Sequence, residues 1–278
     1  NKIIVVDNNS NDESETGLPE SVNLKVIKNK INYGFAKGCN IGASHVKAKY
    51  TLFLNPDTFL YEDTFKKVLK IMESNNNSKI GICGIKLENE QGDTLRHCAR
   101  IPSFFNMLCH VIALDRLFPK LGYTMGEWDH EDTQNVDHVI GAFLLVRTNL
   151  FKELKGFDER YFVYLEDLDF SLRAKQLGWE CLYYAETKAN HFCGGSSKNI
   201  KATSLFYSVR SRLLYSHKHF NRLQFILILV TTLFLEPLTR FLWSIKLFSF
   251  KFFSESFLSQ RYLINWLFKV LLKKIKFK

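Results

Sequence analysis

The chain has no C-x-x-C pair. Its six cysteines, at 39, 83, 98, 109, 181 and 193, follow no zinc-ligand spacing. That argues against a zinc module and favours a reduced cytoplasmic protein with incidental thiols. A G-x-x-x-x-G-K-[ST] run is also missing, which removes the P-loop nucleotide binders. There is no internal repeat, no low-complexity linker and no visible signal peptide. The apolar run 223–235 stops after thirteen residues at Glu236-Pro237, short of the roughly 20 that a spanning helix needs. The sequence opens without Met inside the apolar run "KIIVVD", so a natural N-terminal strand is expected to precede it.

What is present is enough for one large domain: 278 residues, 46% of them hydrophobic. The net charge of +10 is uneven. From Arg210 onward there are 13 Lys/Arg against Glu236 and Glu255, while residues 1–209 are near neutral. Apolar runs at 2–7, 23–29, 50–55, 79–87, 138–147 and 180–185 read as strands. The stretches 36–47, 61–75 and 166–178 read as helices, with Phe65, Val68, Leu69 and Met72 sharing one face. This alternation predicts an α/β fold with a mostly parallel central sheet flanked by helices. Residues 92–135 show no sustained period. Residues 210–278 form a second region of basic, aromatic-rich amphipathic helices, of the kind that suits an anionic membrane surface. Packing on the domain with a solvated lysine face is the alternative. Long aliphatic runs between the tail's aromatics argue against nucleic acid.

Five segments carry candidate chemistry. In "VVDNNSNDES", Asp7 sits at a strand end, where open α/β sheets bind ligands; Ser10 and Asp12 serve equally well as helix caps. In "NYGFAKGCNIG", Gly34, Gly38 and Gly42 permit close backbone approach and Lys37 offers charge to a phosphate, though plain turn glycines explain the same pattern. In "LFLNPDTFL", Asn55-Pro56-Asp57 is either an ordinary turn or a strand-end carboxylate for a divalent cation. In "YFVYLEDLDFSLRAKQLG", Glu166, Asp167 and Asp169 open a helix. They either complement its dipole or include a general base. In "NHFCGGSS", a lone His191 is structural, or a metal ligand if an acidic site lies nearby.

Together, and in this order, these segments with "GAFLLVR" resemble the family 2 glycosyltransferases, in their rhamnosyltransferase-like branch, over roughly residues 2–220. The resemblance implies a GT-A nucleotide-diphospho-sugar transferase fold over 1–209, with the tail 210–278 associating with membrane. It places Asp7 and Asn9 near the donor's base and ribose, and Gly34, Lys37 and Asn40 near the donor nucleotide. Asn55 and Asp57 stand in for a D-x-D element, with Asp57 and His191 on Mg²⁺ or Mn²⁺. Gly141 and Ala142 line the sugar pocket. Asp167 is the catalytic base, with Glu166 beside it. "NPD" has Asn where the fuller motif has Asp, which leaves fewer charged ligands. The implied reaction is inverting transfer of a sugar from dTDP-rhamnose or a UDP-sugar to a glycan or lipid-linked acceptor. It would serve cell-surface polysaccharide synthesis, on the inner face of the cell membrane. The alternative is a non-catalytic membrane-surface or assembly protein on the same scaffold.

Overall fold

The protein is described by a computed structural model over residues 2–11, 23–74, 77–192 and 201–272. Asp12, the Gly-Gly-Ser-Ser turn after His191, Cys193 and the terminal lysines lie outside these residues. In chain order the elements are β1 (Ile3–Asp7), β2 (Leu24–Lys28), α1 (Phe35–Ala43), β3 (Tyr50–Leu54), β4 (Thr58–Leu60), α2 (Thr64–Glu73) and β5 (Ile80–Glu88). They continue as α3 (Phe104–Val111), β6 (Gln134–Val136), β7 (Phe143–Arg147), α4 (Thr148–Glu153), α5 (Glu166–Gln176) and β8 (Glu180–His191). The last four helices are α6 (Lys201–His219), α7 (Arg222–Val230), α8 (Glu236–Lys246) and α9 (Phe250–Leu271).

The class is α/β, but the central sheet is not mostly parallel. β1 and β2 form a parallel pair of their own, while the larger sheet runs β3-β7-β5-β8-β4, with β6 also on β8. In it only β5 and β8 are parallel; the other pairings are antiparallel. Strand–helix alternation predicts parallel strands only where a single helix carries the chain back. Here a tight turn joins β3 to β4, and the long segment 89–142 separates β5 from β7.

Side-chain alternation builds the two faces of this sheet. Leu144, Val146 and Phe53 enter a core with Phe151, Phe157 and Phe170. Their neighbours Phe143, Leu145 and Leu52 face the opposite way, onto Val68 and Met72 of α2. A third core joins Met107 of α3, Tyr161 and Leu168 to Leu213, Leu214 and Tyr215 of α6, Ile228 of α7, and Leu263 and Trp266 of α9. The division expected between residues 209 and 210 therefore falls inside α6.

α3 lies in the stretch without a visible period, started by Ser103, whose side chain accepts a hydrogen bond from Asn106 N. Pro237 does not end the helix of the tail. A π-type segment, Thr231–Leu235, precedes it and α8 continues beyond, re-routing the bonds that proline's missing N–H would break. Arg222–Lys246 is accordingly the one helix among the described residues long and apolar enough to cross a membrane. Glu236 in it is buried and paired with Arg212 of α6 and Arg240. Removing one partner leaves a buried uncompensated charge, so Glu236→Ala is expected to lower stability by about 3–5 kcal/mol in urea denaturation. A loss within about 0.5 kcal/mol, as at an ordinary surface site, contradicts that role for the pair.

Candidate active site

The site is assembled at the ends of β1, β3 and β7 and the start of α5. Asp7 ends β1, and its Oδ1 accepts from Ser10 N at 3.0 Å. These Ser10 bonds hold the Asp7 carboxyl below its ordinary range, with Lys28 adding to the effect. Asn9 turns the chain with φ of 66°. Asn8 ties this loop to the next one: its Nδ2 donates to Gly34 O at 2.9 Å and its Oδ1 accepts from Asn29 Nδ2 at 2.8 Å. Gly34 has φ of 84°, and a Cβ there would overlap the Phe162 carbonyl, so only glycine allows Phe35 N to reach Phe162 O at 2.6 Å. The glycine-rich stretch thus braces the segment that leads into α5.

Two expected donor contacts are otherwise engaged. Asn40 uses both amide atoms on the Phe157 backbone, donating to Phe157 O at 2.8 Å and accepting from Phe157 N at 2.9 Å. Its Nδ2 also lies 3.2 Å from Glu159 Oε1, so the side chain clamps that segment. Lys37 lies 3.4 Å from Glu159 and 4.8 Å from the Tyr33 ring centre; half-exposed, it can turn to a phosphate.

Asp57 and His191 do come together. β4 pairs antiparallel with β8 so that Thr58 stands opposite His191. Phe192 N donates to Asp57 O at 3.0 Å, and His191 Nε2 lies 3.2 Å from Asp57 Oδ1. That buried Oδ1 accepts no hydrogen bond from the described residues. Among the described residues no cluster of three protein ligands exists. A carboxylate with an unsatisfied buried oxygen beside an imidazole fits a divalent cation that takes its remaining ligands from a diphosphate.

The three acids of α5 occupy three environments. Asp169 is fully buried and bonded to Arg173 (2.7 Å), Lys218 (2.6 Å) and His219 (2.7 Å). Burial works to raise its pKa, but His219, Arg173 and Lys218 outweigh it and hold the carboxyl below its ordinary value. It is a tie between α5 and α6. Glu166 is buried with Oε2 unpartnered among the described residues. Burial first, then the neighbouring Asp167, push its pKa well above the ordinary value. Asp167 alone remains partly open. Its Oδ2 accepts from Gly141 N at 2.9 Å and its Oδ1 from Leu168 N at 2.8 Å. Tyr164 and Leu165 precede it with φ of 70° and 64°, strained left-handed conformations that turn the chain sharply into α5.

Gly141 and Ala142 make backbone bonds to both halves of the candidate site. Gly141 N–H orients Asp167, and the carbonyl of the next residue, Ala142 O, accepts from Asn55 N at 3.1 Å and Thr58 Oγ1 at 3.3 Å. Sequence reading missed His138. This buried imidazole is bonded through Nδ1 to Ser171 Oγ at 3.1 Å, and its Nε2 is 3.9 Å from Asp167 Oδ1. Burial lowers its pKa. Its one signal in the sequence is a histidine within an otherwise apolar run three residues before Gly141.

The α/β fold is that of the GT-A glycosyltransferases. Mannosyltransferase PcManGT of Pyrobaculum calidifontis, solved with GDP-Man and Mn²⁺, superposes with TM-score 0.50 at 14% identity, over 99% of this chain and 79% of its own. GalNAc-T7, solved with UDP, GalNAc and Mn²⁺, gives TM-score 0.52 at 14% identity, over 78% of this chain and 41% of its own. The chain belongs to glycosyl transferase family 2, whose model matches residues 1–155. Rhamnosyltransferase WbbL of Escherichia coli K12 is 27% identical over 239 residues, 80% of this chain and 87% of that protein. The N-acetylglucosaminyl-diphospho-decaprenol L-rhamnosyltransferase of Mycobacterium tuberculosis is 26% identical over 140 residues, 49% of this chain and 45% of that protein.

A raised carboxyl pKa in the folded state stabilises fully below the unfolded value, and that contribution is lost as pH rises toward the folded value. Glu166→Gln mimics the neutral acid. It is therefore expected to flatten the decline in melting temperature that the wild type shows as pH rises above about 4.3. A variant whose melting temperature follows the wild type's pH dependence would show that Glu166 is ionised in the fold.

Proposed function

We propose that this glycosyltransferase is an inverting, divalent-cation-dependent enzyme. It moves a sugar from a nucleotide-diphosphate donor, dTDP-rhamnose or a UDP-sugar, to a hydroxyl of a glycan or lipid-linked acceptor in cell-surface polysaccharide synthesis. The observation that carries this reading is the backbone of two adjacent residues, Gly141 and Ala142. One aims Asp167 and the other fixes the Asn55–Asp57 turn.

Asp167 accepts the proton of the acceptor hydroxyl as that oxygen attacks the anomeric carbon. Gly141 N–H holds its Oδ2 and Leu168 N–H its Oδ1, which fixes the carboxylate's orientation. Asp57 and His191 would hold Mg²⁺ or Mn²⁺, which supplies charge neutralisation for the departing nucleoside diphosphate. Asp7 and Asn9 face the base and ribose from the end of β1. Buried Glu166, its pKa raised by burial and by Asp167, stands beside the base, and His138 positions Asp167 from 3.9 Å away.

The C-terminal helices supply the location. Phe234, Phe248, Phe250 and Leu271 are 71%, 96%, 81% and 76% exposed, far more apolar surface than isolated surface residues explain. With the lysines of the tail they suit peripheral binding to the anionic cytoplasmic leaflet, where lipid-linked acceptors are presented.

Asp167→Asn removes the base without changing side-chain size. Transfer by the full-length protein should fall by about 10²–10⁴-fold, with nucleotide-diphosphate affinity retained in calorimetry. Wild-type transfer rates in that variant would overturn the assignment. Loss of nucleotide binding in it would mean that Asp167 serves the donor instead.

A further inference from the structure

Nearly every cation buried or half-buried around α6 has a carboxylate. Arg160 and Lys218 share Asp158, Arg173 and Lys218 share Asp169, and Arg212 and Arg240 share Glu236. Arg210 is the exception. Among the described residues its guanidinium has no acidic partner, its buried Nε has no acceptor, and its one hydrogen bond runs from Nη2 to Arg160 O at 3.3 Å. The Tyr207 and Trp266 rings lie 5.9 and 5.5 Å from its central carbon. Ring faces soften the charge but accept nothing from the N–H groups at its edge. A partly desolvated guanidinium without a counter-ion is costly, and an oxyanion brought by a ligand would relieve that cost.

The surroundings of Arg210 say which ligand. One side is the segment that leads into the catalytic acid. Beyond the contact to Arg160, Ser211 Oγ donates to Val163 O at 2.8 Å, and Tyr207 stacks on Phe162 at 4.5 Å. The other side is α9, through Trp266, and α9 exposes Phe257, Ile264, Phe268 and Leu271. Arg210 thus stands between the group that activates the acceptor and a helix suited to aliphatic chains. The donor's own diphosphate belongs to the Asp57–His191 end of the site.

We propose that Arg210 is the centre of a second oxyanion site, which binds the phosphate or diphosphate of a lipid-linked acceptor. Its aliphatic chain would lie along α9, and its sugar would be directed toward Asp167. This rests on the glycosyltransferase reading above. A planar guanidinium suits the task because it grips phosphate oxygens in pairs.

The test uses the full chain in detergent micelles, with farnesyl diphosphate, farnesol, and dTDP or UDP plus Mn²⁺ as separate titrants. Arg210→Gln is expected to weaken farnesyl diphosphate binding by about tenfold or more, with farnesol and nucleotide affinities essentially unchanged. Arg210→Lys, which keeps the charge without the fork, should fall between wild type and Arg210→Gln, and it carries the test should the glutamine variant not fold. Unchanged farnesyl diphosphate affinity in both variants overturns the proposal. So does a wild type that binds the diphosphate no better than the alcohol, or a variant that loses nucleotide affinity in parallel. A wild type that binds no nucleoside diphosphate overturns the glycosyltransferase reading itself, and the acceptor assignment with it.

Discussion

Backbone groups of two neighbouring residues, Gly141 N–H and Ala142 C=O, hold the candidate site in register. The first is bonded to Asp167 and the second to Asn55 at the turn that carries Asp57. They sit just before β7, whose residues are buried on both faces, so the peptide plane between them moves little. That rigidity matters because the proposed reaction needs a base and a leaving-group site on opposite sides of one anomeric carbon. Neither could be shifted independently of this strand end. A Cβ at 141 would lie 3.3 Å from the Phe35 ring and 3.5 Å from Asp167 Oδ2, so the backbone here passes close to the carboxylate.

Charge is distributed around this frame by environment rather than by residue type. Glu166, Asp167 and Asp169 are consecutive or nearly so, yet one has its pKa raised by burial, one is aimed by a peptide N–H, and one is matched by three basic side chains. Helix-dipole complementarity, the simplest account of three acids in a first turn, explains none of these differences. Around α6 the same matching of charge recurs at Asp158 and Glu236, which is why Arg210 stands out.

Much of this was legible in the sequence because apolar runs ending in Asp or Asn mark strand ends, and the order of the segments carried the family resemblance. Strand neighbours were not legible. β4 is three residues long and follows a turn, so the resemblance put Asp57 and His191 on one ion without showing that the pairing of β4 with β8 brings them together. The mixed sheet was hidden for the same reason, since alternation of elements says nothing of returns made by turns and long loops. Asn40's bonds to the Phe157 backbone, 117 residues away, leave no local signal in its segment and show only in the fold. Glu236-Pro237 read as a helix stop because a buried partner such as Arg212, twenty-four residues away, leaves no local signal.

The account stands on Asp167 and the Asp57–His191 pair acting together on one anomeric carbon in a single displacement. The most direct measurement is proton NMR of the sugar transferred by the full-length protein, followed from the first turnovers with whichever nucleotide-sugar supports reaction. The account predicts that the anomeric configuration is inverted relative to the donor. A product that retains the donor's configuration would contradict it.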